Sequence, residues 1–111
     1  MSIESAGGSD FSSAIDRIDA TLTMRSGQIA DPEVSSYTLA LLRDPNEAGK
    51  KFGQEAAEVM MAVCGEEDVT AVESEIADLV YASLVVARSR RQPARLANVL
   101  AILVARNEGG G

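Results

Sequence analysis

Four carboxylates stand in two pairs of identical spacing, Glu55 with Glu58 and Glu75 with Asp78. Each pair lies in a stretch that predicts a helix, and side chains three residues apart lie on nearly the same helix face. Two such helices packed together would gather all four acids, where uncompensated like charges are strongly unfavourable. Hard cations such as Mg²⁺ or Mn²⁺ prefer oxygen ligands. The spacing therefore predicts a metal site, and with it phosphate chemistry.

Residues near the first pair offer contacts for an anionic substrate. Lys50 and Lys51 precede Glu55 by about one helical turn, where an ammonium group can meet a phosphate as a point charge. The alternatives are an exposed helix face, or pairing of one lysine with Glu55 along the helix. Ser36 and Tyr37 offer hydroxyls and the amides of a helix start, which suit a phosphate, and simple helix capping is the alternative.

The composition excludes several classes of function. The 111-residue chain has a net charge of −7, which argues against nucleic acid or an anionic membrane surface as partner. It contains no histidine, which excludes His-based general base catalysis, His-ligated zinc and the Glu-x-x-His motif of di-iron bundles. Cys64, the only cysteine, is expected to be a small buried side chain. With no visible signal peptide or membrane-spanning run, we expect a cytoplasmic protein.

Apolar spacing predicts an all-α fold in one domain, residues 9–107, with a flexible leader at 1–8 and a flexible tail at 108–111. A first helix is expected over about residues 10–25, capped by Ser9 or Asp10. A short helical turn starting at Ser35 or Ser36 follows. Asp44 is expected to cap a helix over about residues 46–64, and a further helix is expected over about 69–90. After a tight connector at residues 92–93, a last helix that contains Leu96 is expected to end near Asn107. Short connectors make neighbouring helices antiparallel, as in a four-helix bundle.

Three segments resemble the phosphoribosyl-ATP pyrophosphohydrolase family, in the MazG-like all-α superfamily of nucleotide pyrophosphohydrolases. They are SSY at 35–37, KKFGQEAAEV at 50–59 and EIADLVY at 75–81. The superfamily is marked by E-E-x-x-E and a downstream E-x-x-D. The Ser-Tyr segment and the paired lysines favour the histidine-biosynthesis family within it. The resemblance covers about residues 11–107.

The resemblance implies Mg²⁺-dependent hydrolysis of phosphoribosyl-ATP to phosphoribosyl-AMP and pyrophosphate, with Mn²⁺ as an alternative metal. The implied metal ligands are Glu55, Glu58, Glu75 and Asp78, and either Glu55 or Glu58 is expected to hold the attacking water. Lys50 and Lys51 map onto the family's lysine pair as phosphate contacts. The resemblance also implies a homodimer, or a higher assembly, with helices intertwined across the interface.

The chain departs from the family pattern at Gln54, where the family has the first Glu of its motif. Ala82 replaces a frequent aromatic residue or His, and residues 91–93 replace a Gly-containing turn. Two other functions therefore stay open. One is a MazG-like house-cleaning enzyme that acts on non-standard nucleoside triphosphates, which a substrate panel would reveal. The other is a catalytically weakened, non-enzymatic homologue, for which Mg²⁺ should hardly raise the melting temperature.

Overall fold

The computed structural model describes residues 8–110, and all regular secondary structure within that range is α-helical. The five helices are α1 (Gly8–Gly27), α2 (Tyr37–Arg43), α3 (Pro45–Cys64), α4 (Val69–Ser89) and α5 (Leu96–Glu108). The predicted all-α class is confirmed. Residues 1–7 of the predicted leader and Gly111 of the predicted tail lie outside the described residues. Because α1 begins at Gly8, Asp10 lies in its first turn and not at its cap.

Short polar side chains define where three of the helices begin. Ser36 Oγ accepts a hydrogen bond from the Leu39 N–H at 3.0 Å and caps α2. Asp44 caps α3, whose first turn contains a proline, and Asp68 caps α4. Each cap satisfies an amide that the helix itself leaves free. The predicted caps at Ser36 and Asp44 are confirmed.

The hydrophobic core joins α1, α2 and α4. Its fully buried members are Leu22, Leu39, Leu42, Leu84 and Val85. Helix α3 lies against α4 along its length, and only residues 65–68 separate the two, so they form a helical hairpin. This hairpin carries both acidic pairs on adjacent helices.

A buried aspartate attaches α5 to α1. Asp19 is 2% exposed, and its carboxylate accepts the Leu96 N–H at 2.7 Å and the Ala97 N–H at 3.0 Å. Helix α5 is therefore capped by a residue of another helix, since Arg95 at its own N-cap position makes no side-chain cap. The buried Arg88 adds hydrogen bonds to Ala94 O and to hydroxyls of α1. Along the rest of its length α5 contributes no buried residue to the described fold.

One arginine organises the connector between α1 and α2. Arg43 of α2 donates hydrogen bonds to four backbone carbonyls, those of Gln28, Ile29, Asp31 and Val34. These contacts fix the segment that leads into the capped start of α2, which is the wall of the candidate site.

Cys64 is exposed, and the expectation of a buried cysteine is wrong. It lies in the last turn of α3, where the neighbouring Met61 and Val63 are also exposed. None of the helices within residues 8–110 is long and apolar enough to cross a membrane.

Candidate metal centre

The α3–α4 hairpin brings three of the four predicted ligands together. Glu55 of α3 and Glu75 and Asp78 of α4 each place a carboxylate oxygen within 4.8 Å of the other two. Glu55 is buried, Glu75 is half-buried and Asp78 is exposed, so the cluster opens to solvent on the α4 side. The three-residue spacing places Glu75 and Asp78 on one face of α4, and the packing of α3 on α4 brings Glu55 to them.

Glu58 borders the cluster without joining it. Its Oε1 accepts a hydrogen bond at 3.1 Å from Nε2 of Gln54, one turn earlier on α3. The family's Glu at position 54 has no such donor, so this contact belongs to the departure from the family pattern. Glu58 nevertheless lies close enough for its charge to raise the pKa of Glu75. Its role as a fourth ligand stays a prediction.

Two carboxylate oxygens of the cluster are buried and unsatisfied. Among the partners available in residues 8–110, neither Glu55 Oε2 nor Glu75 Oε2 finds a hydrogen bond. A buried acceptor without a partner costs roughly 1–3 kcal/mol, and more if it is charged. A divalent cation would satisfy both oxygens, and the all-oxygen donor set suits a hard ion. The residues present therefore fit a Mg²⁺ or Mn²⁺ ion.

The pKa values of Glu55 and Glu75 are shifted in opposite directions. The ammonium of Lys51, which donates to Glu55, lowers the pKa of that carboxyl despite its burial. Desolvation raises the pKa of Glu75, and the charges of Glu58 and Asp78 raise it further. Glu55 is thus held ionised, whereas Glu75 takes up a proton more readily than an ordinary glutamate.

The two lysines occupy different environments. Lys51 Nζ lies 2.6 Å from Glu55 Oε1 and 5.8 Å from the centroid of the Tyr37 ring. Lys50 Nζ lies 3.2 Å from Glu47 Oε1, and both side chains of that pair are exposed. Pairing along the helix, one of the alternatives left open by the sequence, therefore describes Lys51. Contact of either lysine with a phosphate stays a prediction.

A pocket of about 290 Å³ adjoins the cluster between α2, α3 and α4. This volume is near the lower end for small-molecule sites. Sequence reasoning placed Tyr37, Lys51, Glu55 and Asp78 at the site, and all four line the pocket. It missed the remaining lining residues, which are Thr38, Leu41, Tyr81, Ala82 and Val85.

A signal for one missed residue is present in the sequence. Tyr81 follows Asp78 by three residues, so it lies on the same face of α4. Its hydroxyl lies 3.2 Å from Thr38 Oγ1 and joins α4 to α2 across the pocket. Ser36, the other predicted substrate contact, uses its hydroxyl to cap α2. Its role in substrate binding stays a prediction.

Comparison with known proteins places most of the chain within one family. The family described as "Phosphoribosyl-ATP pyrophosphohydrolase" matches residues 20–107. A "Phosphoribosyl-ATP pyrophosphatase" of Cereibacter sphaeroides (strain KD131) is 40% identical over 99 residues, which are 87% of this chain and 89% of the relative. A relative of the same name from Dinoroseobacter shibae is 42% identical with the same coverage.

A longer relative matches about half of the chain. The "Histidine biosynthesis bifunctional protein HisIE" of Thermosynechococcus vestitus is 47% identical over 55 residues, which are 49% of this chain and 25% of that protein. No solved structure matches the chain.

Proposed function

The chain belongs to the phosphoribosyl-ATP pyrophosphohydrolase family, and on this premise we propose that it hydrolyses phosphoribosyl-ATP to phosphoribosyl-AMP and pyrophosphate in histidine biosynthesis. One observation of this chain carries the proposal. Glu55 is buried, has an oxygen without a partner among the described residues, and lines a pocket of about 290 Å³. A buried acid of this kind needs a cation, and a cation beside a pocket suits a phosphate substrate.

Mg²⁺ is the proposed metal, with Mn²⁺ as a substitute. Glu55, Glu75 and Asp78 would hold it, and Glu58 would complete the set once its hydrogen bond to Gln54 is exchanged. The bound ion would neutralise charge on the phosphates and lower the pKa of a water. The unsatisfied oxygens of Glu55 and Glu75 support this assignment.

The chain's own residues divide the remaining tasks. Glu55 or Glu58 orients the attacking water and accepts its proton, because Glu55 belongs to the cluster and lines the pocket, and Glu58 lies next to the cluster. Lys51 also lines the pocket and contacts a phosphate oxygen. Tyr37, Leu41 and Val85 give the pocket an aromatic and apolar wall for the nucleoside part of the substrate.

A substrate panel with Mg²⁺ tests the proposal. Release of pyrophosphate is measured with phosphoribosyl-ATP, the standard dNTPs and modified nucleoside triphosphates. We expect phosphoribosyl-ATP to be preferred. Preference for the dNTPs or modified triphosphates would favour the house-cleaning function instead, and no turnover of any substrate by a folded, metal-bound protein would favour the non-enzymatic homologue.

Helix α4 offers a matched pair of variants for the same assay. Glu75→Gln removes a proposed ligand, whereas Glu73→Gln changes the same residue type at an exposed position of the same helix. Turnover should fall at least about 100-fold in Glu75→Gln and change little in Glu73→Gln. Equal turnover in the two variants would remove Glu75 from the site.

A homodimer is the proposed assembly. Large apolar side chains are exposed on α3, α4 and α5, namely Met60, Met61, Val63, Val69, Ile102, Leu103 and Val104. These side chains are proposed to be buried against a second copy of the chain, because exposed apolar patches mark interaction surfaces.

Light scattering coupled to size exclusion tests the assembly. Wild type should elute at twice the mass of the chain or more. Leu103→Glu should dissociate it, because a charge would be buried in the interface, whereas Asn107→Glu on the same helix should not. A monomeric wild type at micromolar concentration would overturn the dimer.

A further inference from the structure

Lys51 lies where a cation is needed, and its neighbour Lys50 does not. These are the only two lysines of the chain. The side chain of Lys51 is 29% exposed and that of its partner Glu55 is 5% exposed, whereas Lys50 and its partner Glu47 are 75% and 54% exposed. Exposed pairs of the second kind contribute little to stability. The Lys51 pair differs because one partner is a buried acid of the metal cluster.

A buried, ionised carboxylate that accepts no backbone N–H needs a positive partner. In the structure the ammonium of Lys51 provides it, at 2.6 Å from Glu55 Oε1. A divalent cation bound by the same carboxylate would lie within a few ångströms of that ammonium, where like charges repel strongly in a partly desolvated site. Lys51 and the metal therefore compete for Glu55.

An aromatic ring lies beside Lys51 in the same conformation that contacts Glu55. The Lys51 Nζ lies 5.8 Å from the centroid of the Tyr37 ring, within the range of a cation–π interaction. Lys51 lines both the pocket that contains Glu55 and a neighbouring one that contains Lys50 and Gln54. The flexible lysine side chain can leave Glu55 and keep its charge beside the aromatic ring, in the pocket.

We propose that Lys51 is the resident counter-ion of Glu55, that a divalent cation displaces it, and that the displaced ammonium then binds a phosphate group of the nucleotide. The order follows from the ion pair: Glu55 neutralises the ammonium and holds it at the carboxylate until the metal takes its place. Metal loading thereby frees the lysine charge for the phosphate. This inference rests on the proposed function, from which it takes the metal and the nucleotide.

Metal affinity without nucleotide tests the displacement. Binding of Mn²⁺ is measured by calorimetry for wild type, Lys51→Gln and Lys50→Gln, with circular dichroism to establish folding. Both variants lose one positive charge, but only Lys51→Gln removes the competitor, so its affinity should rise roughly 10-fold above that of Lys50→Gln. Lys51→Arg retains a competing cation and should stay within about twofold of wild type. Equal affinities in the two Gln variants overturn the displacement.

The side-chain resonances of the two lysines give a readout on the wild-type protein. After selective isotope labelling of lysine, the spectrum should contain two sets of signals, which the two Gln variants assign. Addition of Mg²⁺ should shift the Lys51 signals and leave those of Lys50 in place. Binding of Mg²⁺ without a shift at Lys51 would overturn the inference while leaving the proposed hydrolysis intact.

Turnover then separates this inference from the proposed function. Wild-type hydrolysis of phosphoribosyl-ATP with Mg²⁺ supports the function whatever Lys51 does. In Lys51→Gln, tighter metal binding should accompany a raised KM for the nucleotide, because the phosphate contact is lost. A raised metal affinity with an unchanged KM would overturn the second half of the proposal, the transfer of the ammonium to phosphate. Absence of metal binding in every variant would overturn inference and function together.

Discussion

Two buried carboxylates, Asp19 in α1 and Glu55 in α3, differ in how completely they are satisfied. Asp19 is 2% exposed, and each of its oxygens accepts a backbone N–H at the start of α5. Glu55 is 4% exposed, yet only Oε1 has a partner among residues 8–110. Burial alone therefore does not distinguish a structural acid from a functional one. The two acids are distinguished by the number of carboxylate oxygens that have no hydrogen-bond partner among the described residues.

The difference extends to the regions around them. Near Asp19, Arg88 also has its donors directed at a carbonyl and two hydroxyls, so that end of the bundle forms a closed polar network. Around Glu55, the oxygen of Glu75 is also unsatisfied within the described chain, and three acids share one small space. Closed networks rigidify a fold, whereas an open cluster costs free energy until a ligand arrives.

The largest expected effect is on activity and follows Glu55→Gln. The substitution retains shape but removes the charge at the centre of the cluster, so turnover should fall by about 100-fold or more, and the Mg²⁺-dependent rise in melting temperature should vanish. Steady-state kinetics and thermal melts measure both. Glu47→Gln, on the exposed side of the same helix, is the control. Full activity in Glu55→Gln would show that Glu55 is not a functional acid.

The next effect is on stability and follows Asp19→Ala. Loss of both hydrogen bonds to the start of α5 should lower the free energy of unfolding by about 2 kcal/mol, because a cap and a buried charged acceptor are removed together. Urea denaturation measures it, with Asp16→Ala on the exposed face of α1 as the control. Metal affinity should not change in folded Asp19→Ala. Loss of metal binding without loss of stability would contradict the assignment of Asp19 as structural.

A smaller effect is expected at the edge of the cluster, from Gln54→Glu. The variant exchanges a hydrogen bond to Glu58 for a like-charge contact at the same spacing, which should destabilise the metal-free protein by roughly 0.5–1 kcal/mol. It also adds a carboxylate that can bind the metal. The rise in melting temperature on adding Mg²⁺ should therefore increase, and turnover should rise several-fold. Gln54→Ala, which loses the hydrogen bond without adding charge, is the control. A fall in turnover would show that the amide is an adaptation of this chain.

The smallest effect concerns pH and sharpens the distinction within the cluster. The pKa of Glu75 is raised in the folded protein, so folding favours the protonated form of its carboxyl. The resulting contribution to the free energy of unfolding is fully present below the ordinary pKa of about 4.3 and is lost as the pH rises through the raised pKa. With EDTA present, wild type should therefore lose more thermal stability than Glu75→Gln does as the pH rises from about 4.3 to neutrality.

The pKa of Glu55 is shifted in the opposite direction, so its effect on stability has the opposite pH dependence. Its lowered pKa gives a contribution that is present at neutral pH and lost only as the pH falls through the lowered value. It therefore changes little between pH 5 and 7. Identical pH slopes for wild type and Glu75→Gln would mean that the open cluster carries no titrating group in that window.

Features that depend on spacing along one helix could be predicted from the sequence. The five helices, the caps at Ser36 and Asp44 and the meeting of Glu55 with the α4 pair all follow from local patterns. The sequence could not show which of the two lysines pairs with Glu55, because either could do so within α3. The outcome depends on how α3 rotates against α4.

Long-range polar contacts were not predictable. Asp19 reaches amides 77 and 78 residues later in the chain, and nothing in its local sequence distinguishes it from the exposed Asp16. Thr38 and Tyr81 are likewise joined only by the packing of α2 on α4. Exposure of Cys64 has the same origin, since a residue type that is usually buried lies at a helix end that the described chain leaves uncovered.

The four carbonyl contacts of Arg43 have a consequence for cooperativity. The backbone–backbone hydrogen bonds donated by the connector from Gln28 to Val34 are all to residues three positions earlier, and the side chain of Arg43 joins the connector to α2. Opening of the connector therefore requires loss of contacts to α2, and unwinding of α2 releases the connector. The two segments should behave as one unit in amide hydrogen exchange, so the wall of the pocket cannot loosen locally without the loop that precedes it.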